Sequence, residues 1–129
     1  DTFFFKDLNP VFDYYSPVLV ANNQLIKDDP ETVKAFLAAT QKGYEYAVSN
    51  PDEAAQILID SDDTGALDGC EELVKASQKW MADQYVADAP KWGYIDPARW
   101  NAFYNWVADE KIIDEKLPEN TGFTNDYLA

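Results

Sequence analysis

The residues best suited to hold a small molecule lie together in Asp13-Tyr14-Tyr15-Ser16. Tyrosine rings stack on planar aromatic ligands, and a carboxylate such as Asp13 accepts hydrogen bonds from an exocyclic amine. Because neighbouring side chains of an extended segment point to opposite sides, one tyrosine can be buried while the other faces a ligand. The residue types alone leave ligand contact and plain packing equally open for the two tyrosines.

Other aromatic side chains are better explained as core. Four of them recur on helical stripes, where aromatic residues are usually buried against the body of the protein: Trp80, Trp100, Phe103 and Tyr104. Trp92 and Tyr94 flank a glycine between two predicted helices, and packing of this loop against the body explains them best.

Catalytic constellations are missing from the sequence. It contains no histidine, which excludes Ser-His-Asp and Cys-His arrangements within these residues and removes the commonest metal ligand. Cys70 is the single cysteine, so no intrachain disulfide exists, and no cluster of basic residues lies beside it in sequence to activate the thiol. There is no CxxC pair and no glycine-rich phosphate loop. We therefore predict no catalytic residue, no cofactor and no enzyme.

A run of acids at Asp60, Asp62 and Asp63 resembles the start of a calcium-binding loop. The glycine and the distal glutamate do not fall at the spacing that an EF-hand requires. We interpret this segment as a solvated acidic loop and predict no metal site.

The charge of the chain restricts its partners. With 10 basic and 24 acidic residues, the net charge is −14. Phosphate backbones and anionic lipid headgroups are held by Lys and Arg, so this balance argues against nucleic-acid and membrane-surface binding.

The sequence has no long apolar segment and no signal peptide, and it opens on Asp1. We expect either a mature product or a piece of a longer protein.

Helix starts are marked by three Asx-Pro pairs, Asp29-Pro30, Asn50-Pro51 and Asp96-Pro97. The Asx side chain can accept an orphan backbone N–H, and proline at the first helical position gives up no bond. The predicted helices cover about 30–49, 51–59, 70–86 and 97–111, and Phe36, Leu58 and Leu73 lie on their inward-facing apolar stripes. A turn-rich tail is predicted over 117–124.

Two segments, Thr2–Lys6 and Pro17–Ala21, are typical of strands. The apolar run Val18–Val20 is expected of a strand that is covered on both faces in an α/β sheet. Two strands do not make an independently stable sheet. We therefore predict an α/β fold class, mostly helical in this chain with about two strands, whose partner strands lie in a removed N-terminal region or in another copy.

The segment DYYSPVLVANNQLIKDDPETVKAFLAATQKGYEYAVSNPDEAAQIL resembles the C-terminal half of ABC-transporter solute-binding proteins of the thiamine-pyrimidine-precursor type. These are relatives of the fungal pyrimidine synthases and of the sulfonate and nitrate binders. The DAPKWGYIDPARWNAFYNW run and the ending GFTNDYL are also similar to that family. The DYYSP and DAPKWGYID segments are the narrower signals, and they favour the pyrimidine-precursor branch.

The resemblance implies a type II periplasmic-binding-protein fold with two α/β lobes and a ligand in the cleft between them. The chain would be one C-terminal fragment, with a strand and crossover in 1–12 and a strand plus lobe helices in 13–129. It implies that Tyr14 and Tyr15 sandwich the aromatic ring of a ligand, with Asp13 and Ser16 as polar partners. It further implies an extracytoplasmic location, periplasmic or lipid-anchored, and delivery of the ligand to an ABC transporter permease.

Other functions stay open on the sequence alone. The ligand could be riboflavin, a sulfonate or nitrate, and the parent protein could be an enzyme like the pyrimidine synthases, although those use histidine. A helical interaction module is a further alternative. We also predict that the fragment associates with itself, because the unpaired edges of Val18–Val20 invite strand pairing between copies.

Overall fold

The structure, a computed structural model, describes residues 3–129, and the regular elements in that range are helices. They are α1 (Phe5–Leu8), a 3-10 helix (Pro10–Phe12), α2 (Asn23–Asp28), α3 (Pro30–Ser49), α4 (Pro51–Asp60), α5 (Glu71–Ala82) and α6 (Pro97–Asp109). The four predicted helices are therefore confirmed as α3 to α6. None of the helices described combines the length and the apolar content that a bilayer-spanning helix requires.

Helix α5 is shorter than predicted. It ends at Ala82, whereas the sequence predicts an end near residue 86. The chain turns at this point: the backbone N–H groups of Gln84 and Tyr85 both donate to the carbonyl of Met81, at 2.8 and 3.1 Å. Ala87 then adopts a left-handed backbone with φ of 48°. An L-residue in that conformation cannot continue a right-handed helix, so no helix runs through residue 87.

Neither predicted strand is present in residues 3–129. Phe5 and Lys6 lie in α1, Pro17–Ala21 has no regular secondary structure, and Thr2 lies outside the described residues. A strand forms where a neighbour exchanges backbone hydrogen bonds with it, and the described chain supplies no such neighbour. The side chain of Val20 is accordingly 88% exposed. The two-strand prediction and the α/β class are therefore not confirmed for this chain.

Helix α6 carries the cap that its Asx-Pro pair predicts. Asp96 Oδ1 accepts hydrogen bonds from the backbone N–H groups of Ala98 and Arg99, at 2.7 and 3.0 Å. The same prediction is wrong for Asn50, whose side chain makes no capping bond and instead donates from Nδ2 to the Tyr46 carbonyl at 3.2 Å. Asn50 directly follows α3, and its backbone N–H donates to the same Tyr46 carbonyl at 2.8 Å, so its side chain closes α3 instead of capping α4.

The chain divides into two units. The first unit comprises the residues up to Pro30 together with Tyr94–Tyr127. In it the 3-10 helix packs on α6, where the rings of Phe12 and Trp106 meet edge to face at 5.0 Å. The predicted tail is tied back to α6 because Asn101 Nδ2 donates to Asn120 Oδ1 at 3.0 Å, and Asn120 N donates to Asn101 Oδ1 at 2.8 Å.

The second unit comprises Glu31–Gly93 with Leu128 and Ala129. Helix α4 packs on α5, and Tyr44 of α3 lies between two other rings. It stacks on Trp92 at 4.9 Å and meets Tyr85 edge to face at the same distance. The packing prediction for Trp92 is therefore confirmed. The buried residues of this unit are Val33, Ala55 and Ala82.

Several apolar side chains predicted to be core lie at the surface instead. The side chains of Phe36, Leu58, Leu73 and Trp80 are all more than half exposed. Their helical spacing is that of a buried stripe, but no element of the described chain covers the stripe. The core prediction is thus wrong for these four residues in this chain. An apolar surface of this kind is typical of an interaction face.

Candidate functional site

A cavity of about 150 Å³ lies in the first unit, between the loop that follows the 3-10 helix and α6. Six side chains line it: Tyr14, Tyr15, Ser16, Trp100, Phe103 and Tyr104. Five of these residues are aromatic, and four of the six carry a hydroxyl group. A small, mostly aromatic cleft with a few polar groups is the usual form of a site for a small molecule.

One wall of the cavity is built by α6, whose stripe Trp100, Phe103 and Tyr104 recurs at helical spacing. The Trp100 ring lies 4.9 Å from that of Tyr104 and 5.2 Å from that of Phe123. Its Nε1–H donates to the Thr121 carbonyl at 2.9 Å. The indole is thus held at both its ring and its polar end, which makes this wall rigid.

The opposite wall begins with Tyr14, which stacks on Phe103. The two ring centroids are 4.4 Å apart and the ring planes are inclined by 21°. Offset stacking of this kind stabilises an aromatic pair beyond the burial of its area. Tyr14 is nevertheless 49% exposed, so much of its ring surface faces solvent.

Tyr15 lines the same cavity as Tyr14 but is held by different contacts. Its side chain is half-buried, and its hydroxyl oxygen accepts a hydrogen bond from the Asp96 backbone N–H at 2.8 Å. The guanidinium carbon of Arg99 lies 5.3 Å from the centre of its ring. A cation at this distance is attracted to an aromatic face.

Asp13 does not line the cavity. Its Oδ2 atom forms an ion pair with Arg99 Nη2 at 3.4 Å. The structure therefore brings Tyr14, Tyr15 and Ser16 of the predicted site together at one cavity, and it brings Asp13 onto Arg99. Contact of any of the four with a ligand stays a prediction.

Sequence reasoning missed the other wall as part of a site. Trp100, Phe103 and Tyr104 were predicted to be core because their helical spacing is the ordinary spacing of buried residues. The spacing was informative about their common face, but it did not reveal that DYYS lies opposite that face. Arg99 was missed altogether, since nothing in the sequence connects it with residues more than 80 positions earlier.

The acidic loop that resembles a calcium site is organised by its own chain. Asp62 Oδ1 accepts from the Thr64 hydroxyl at 2.6 Å and from the Thr64 backbone N–H at 3.0 Å, and Oδ2 accepts from the Leu67 N–H at 2.7 Å. The Thr64 hydroxyl, followed by the Leu67 N–H, lowers the pKa of the Asp62 carboxyl below its ordinary value. Within residues 3–129, no group of three or more His, Cys, Asp or Glu side chains is arranged to hold a metal ion.

A second, wider depression of about 420 Å³ lies in the second unit and is lined by Ala76, Ser77, Trp80 and Met81. Ser77 supplies the only polar side chain among these four. Binding sites for small molecules orient the ligand with several placed polar groups. The aromatic cavity of the first unit is therefore the stronger candidate.

Comparison with known proteins finds a family match for the N-terminal part of the chain. Residues 1–54 match the family described as NMT1/THI5 like. The matched stretch contains the DYYS loop, which supplies Tyr14, Tyr15 and Ser16 to the cavity. It also contains α3 and the start of α4.

A curated relative is similar over most of the chain. The formylaminopyrimidine-binding protein of Halalkalibacterium halodurans is 26% identical over 122 residues, which cover 91% of this chain and 37% of the relative. The chain thus spans little more than a third of that protein's length. Together with the NMT1/THI5-like match, this similarity confirms the resemblance to solute-binding proteins of the thiamine-precursor type.

Proposed function

We propose that this chain forms part of an extracytoplasmic solute-binding protein that captures a small aromatic heterocycle, such as a thiamine pyrimidine precursor. The observation that carries the proposal is the cavity between the DYYS loop and α6, with its five aromatic side chains and four hydroxyl groups. The name of the curated relative, a formylaminopyrimidine-binding protein, supports the same ligand class.

The cavity suits one flat ring. Its volume of about 150 Å³ is similar to that of an engineered protein cavity that binds benzene, so a single six-membered ring fills most of it. The faces of tyrosine and tryptophan rings attract planar heteroaromatic ligands. The hydroxyl groups of Ser16 and Tyr104 can accept hydrogen bonds from an exocyclic amine or donate to a ring nitrogen. In this proposal Asp13 contributes to the same site.

Binding requires no covalent step. The proposed parent has two α/β lobes, with this chain as one C-terminal fragment, and it holds the ligand by closing the cleft between the lobes. Strands outside this chain would pair with the extended Pro17–Ala21 segment. The closed protein would then deliver its ligand to an ABC transporter permease.

Calorimetry on the full-length protein tests the proposal. Formylaminopyrimidine is titrated beside riboflavin, taurine and nitrate, which represent the other binder classes. We expect saturable heat with formylaminopyrimidine alone. Heat with riboflavin, taurine or nitrate and none with the pyrimidine would reject the pyrimidine assignment.

Two site variants connect that result with the cavity. Tyr14→Ala and Tyr104→Ala each remove an aromatic wall and should weaken binding of formylaminopyrimidine, whereas Phe36→Ala removes an exposed ring of α3 and should not. Mass spectrometry of the intact protein separates a binder from a synthase-like enzyme, because a synthase that consumes its own side chains loses mass during incubation. We expect the mass of the protein to stay unchanged.

A further inference from the structure

The side chain of Arg99 does not line the cavity, but it contacts Tyr15, which does. Its Nη2 atom is 3.4 Å from Asp13 Oδ2, and its guanidinium carbon is 5.3 Å from the centre of the Tyr15 ring. Its backbone N–H donates to Asp96 Oδ1 at the start of α6. The side chain is only 28% exposed, so its charge is partly shielded from water.

The Tyr15 ring is consequently held at two points. Its hydroxyl accepts from the Asp96 backbone N–H, and the guanidinium of Arg99 lies against its ring. Rotation about the side-chain bonds of Tyr15 would break the first contact or the second. A binding group whose orientation is fixed before the ligand arrives loses less conformational entropy on binding, so the affinity is higher.

Asp13 belongs to the same arrangement. An arginine over an aromatic ring can swing away unless a second group holds it, and the Asp13 carboxylate supplies that group through the ion pair. The carboxylate lies on the guanidinium and is not among the side chains that line the cavity. Its influence on a ligand therefore passes through Arg99 and Tyr15.

From these contacts we propose that Arg99 is a positioning residue that orients Tyr15 for ligand stacking, and that Asp13 acts on the ligand through Arg99. The inference deepens the proposed function and rests on it for the effect on affinity. The orientation of Tyr15 itself is measurable without any ligand, so the two claims can fail separately.

The ligand-free test uses 3-fluorotyrosine at position 15 of the full-length protein and ¹⁹F NMR. We expect Arg99→Met and Asp13→Asn to shift and broaden the resonance of residue 15, and Arg99→Lys to restore part of the wild-type shift because it keeps the cation. Lys79→Met, which breaks the exposed 2.9 Å ion pair with Asp52 in the second unit, is the matched control and should leave the resonance unchanged. An unchanged resonance in both Asp13→Asn and Arg99→Met would overturn the positioning role.

The second test is a double-mutant cycle on the affinity for formylaminopyrimidine. Each of Arg99→Met and Asp13→Asn should weaken binding about three- to tenfold, the range expected for loss of a partly shielded cation–π contact. The double variant should bind no more weakly than the weaker single variant, because the two residues act in series. Losses that multiply in the double variant would assign Asp13 a direct contact with the ligand and overturn the proposal.

Thermal unfolding of each variant shows whether a lower affinity results from loss of the folded structure. Should Arg99→Met fail to fold, Arg99→Lys and Asp13→Asn decide the question with the same two readouts. Should the wild-type protein bind no pyrimidine, the proposed function fails, and the ¹⁹F resonances alone still decide whether Arg99 orients Tyr15.

Discussion

Adjacent tyrosines are held by different contacts at the candidate site. Tyr14 stacks on Phe103 and keeps about half of its surface exposed, whereas Tyr15 is held by its hydroxyl and by a cation over its ring. Tyr14 is therefore the side chain best placed to offer a free ring surface to a ligand, and Tyr15 is the more rigid of the two. The difference follows from their contacts, since Tyr14 packs on Phe103 and Tyr15 on Asp96 and Arg99.

Replacement of Phe103 by leucine tests the Tyr14 stack. The substitution keeps an apolar side chain but removes the ring pair, which contributes roughly 0.5–1.5 kcal/mol beyond area burial. Tyr14 then loses its fixed orientation, and we expect the affinity of the full-length protein for formylaminopyrimidine to fall about two- to tenfold. Calorimetry measures the change, and Phe36→Leu on the exposed side of α3 is the control. Equal affinities for wild type and Phe103→Leu would exclude the stack from the site.

Asp62 gives a prediction that depends on pH. Its carboxylate accepts hydrogen bonds from Thr64 and Leu67, which lower its pKa in the folded chain. A lowered pKa means that the charged form stabilises the fold. This contribution is complete above the unfolded value of about 3.9 and is lost as the pH falls through the folded value.

We therefore expect Asp62→Asn to be less stable than wild type at neutral pH and the difference to vanish in acid. Urea unfolding at a series of pH values measures it. Asp63→Asn is the matched control, since the Asp63 carboxylate takes no part in these hydrogen bonds. A stability difference that persists unchanged at the lowest pH would show that the ionised carboxylate is not responsible.

The contacts of individual side chains were the hardest feature to predict from the sequence. The chemistry of tyrosine and serine was enough to single out Tyr14, Tyr15 and Ser16, all of which line the cavity. It could not assign Asp13 to Arg99, because an ion pair between residues so distant in sequence depends on tertiary packing. For the same reason Phe103 was interpreted as core alone.

Helix α6 is the element that positions the site. Its first turn offers the Asp96 backbone N–H to Tyr15, and its stripe provides one wall of the cavity. The segment before it is fixed by Asn125, whose Oδ1 accepts from the Ile95 N–H at 3.0 Å and whose Nδ2 donates to the Ile95 carbonyl at 2.8 Å. The start of α6 is thus anchored by side chains on both sides.

Loss of the α6 cap should be measurable as a loss of stability. Asp96→Ala removes an acceptor for two backbone N–H groups and should cost about 1 kcal/mol of unfolding free energy. Asp96→Asn keeps an amide oxygen at the cap and should recover most of this loss. Asn50→Ala, at a position with no side-chain capping bond, should cost clearly less. Chemical denaturation compares the three variants, and an Asn50→Ala loss as large as that of Asp96→Ala would contradict the capping difference.

Helix boundaries were largely predictable, and strands were not. An Asx-Pro pair is a local signal, so the starts of α3, α4 and α6 could be found without any tertiary information. The segment Pro17–Ala21 has the composition of a buried strand, but a strand exists only with a pairing neighbour. The apolar composition of Pro17–Ala21 is therefore compatible with a strand, but the strand forms only where another segment pairs with it.

The molecule as a whole exposes apolar side chains that a complete globular domain would cover. Phe36, Leu73 and Trp80 lie on predicted core stripes, yet their side chains are more than half exposed. The similarity to 37% of a curated relative's length agrees with the proposal that a larger protein contains this chain. Rapid exchange of backbone amides over Pro17–Ala21 is expected in the isolated chain.

Self-association of the isolated chain follows from the same exposure. We expect residues 1–129 to form oligomers at high concentration through the unpaired Val18–Val20 segment, and added salt to promote this because it screens the net charge of −14. Val20→Lys should suppress association in sedimentation experiments. Leu73→Lys, on the exposed face of α5, is the comparison. If only this variant suppresses association, the contact between copies involves α5 and not the Val18–Val20 segment.

The most direct test of the central claim is a crystal structure of the full-length protein with bound formylaminopyrimidine. We expect the pyrimidine ring to lie in the aromatic cavity, in van der Waals contact with Tyr14 and with the Trp100–Tyr104 wall of α6. A pyrimidine bound elsewhere in the protein, with the cavity of Tyr14, Tyr15, Ser16, Trp100, Phe103 and Tyr104 empty, would contradict it.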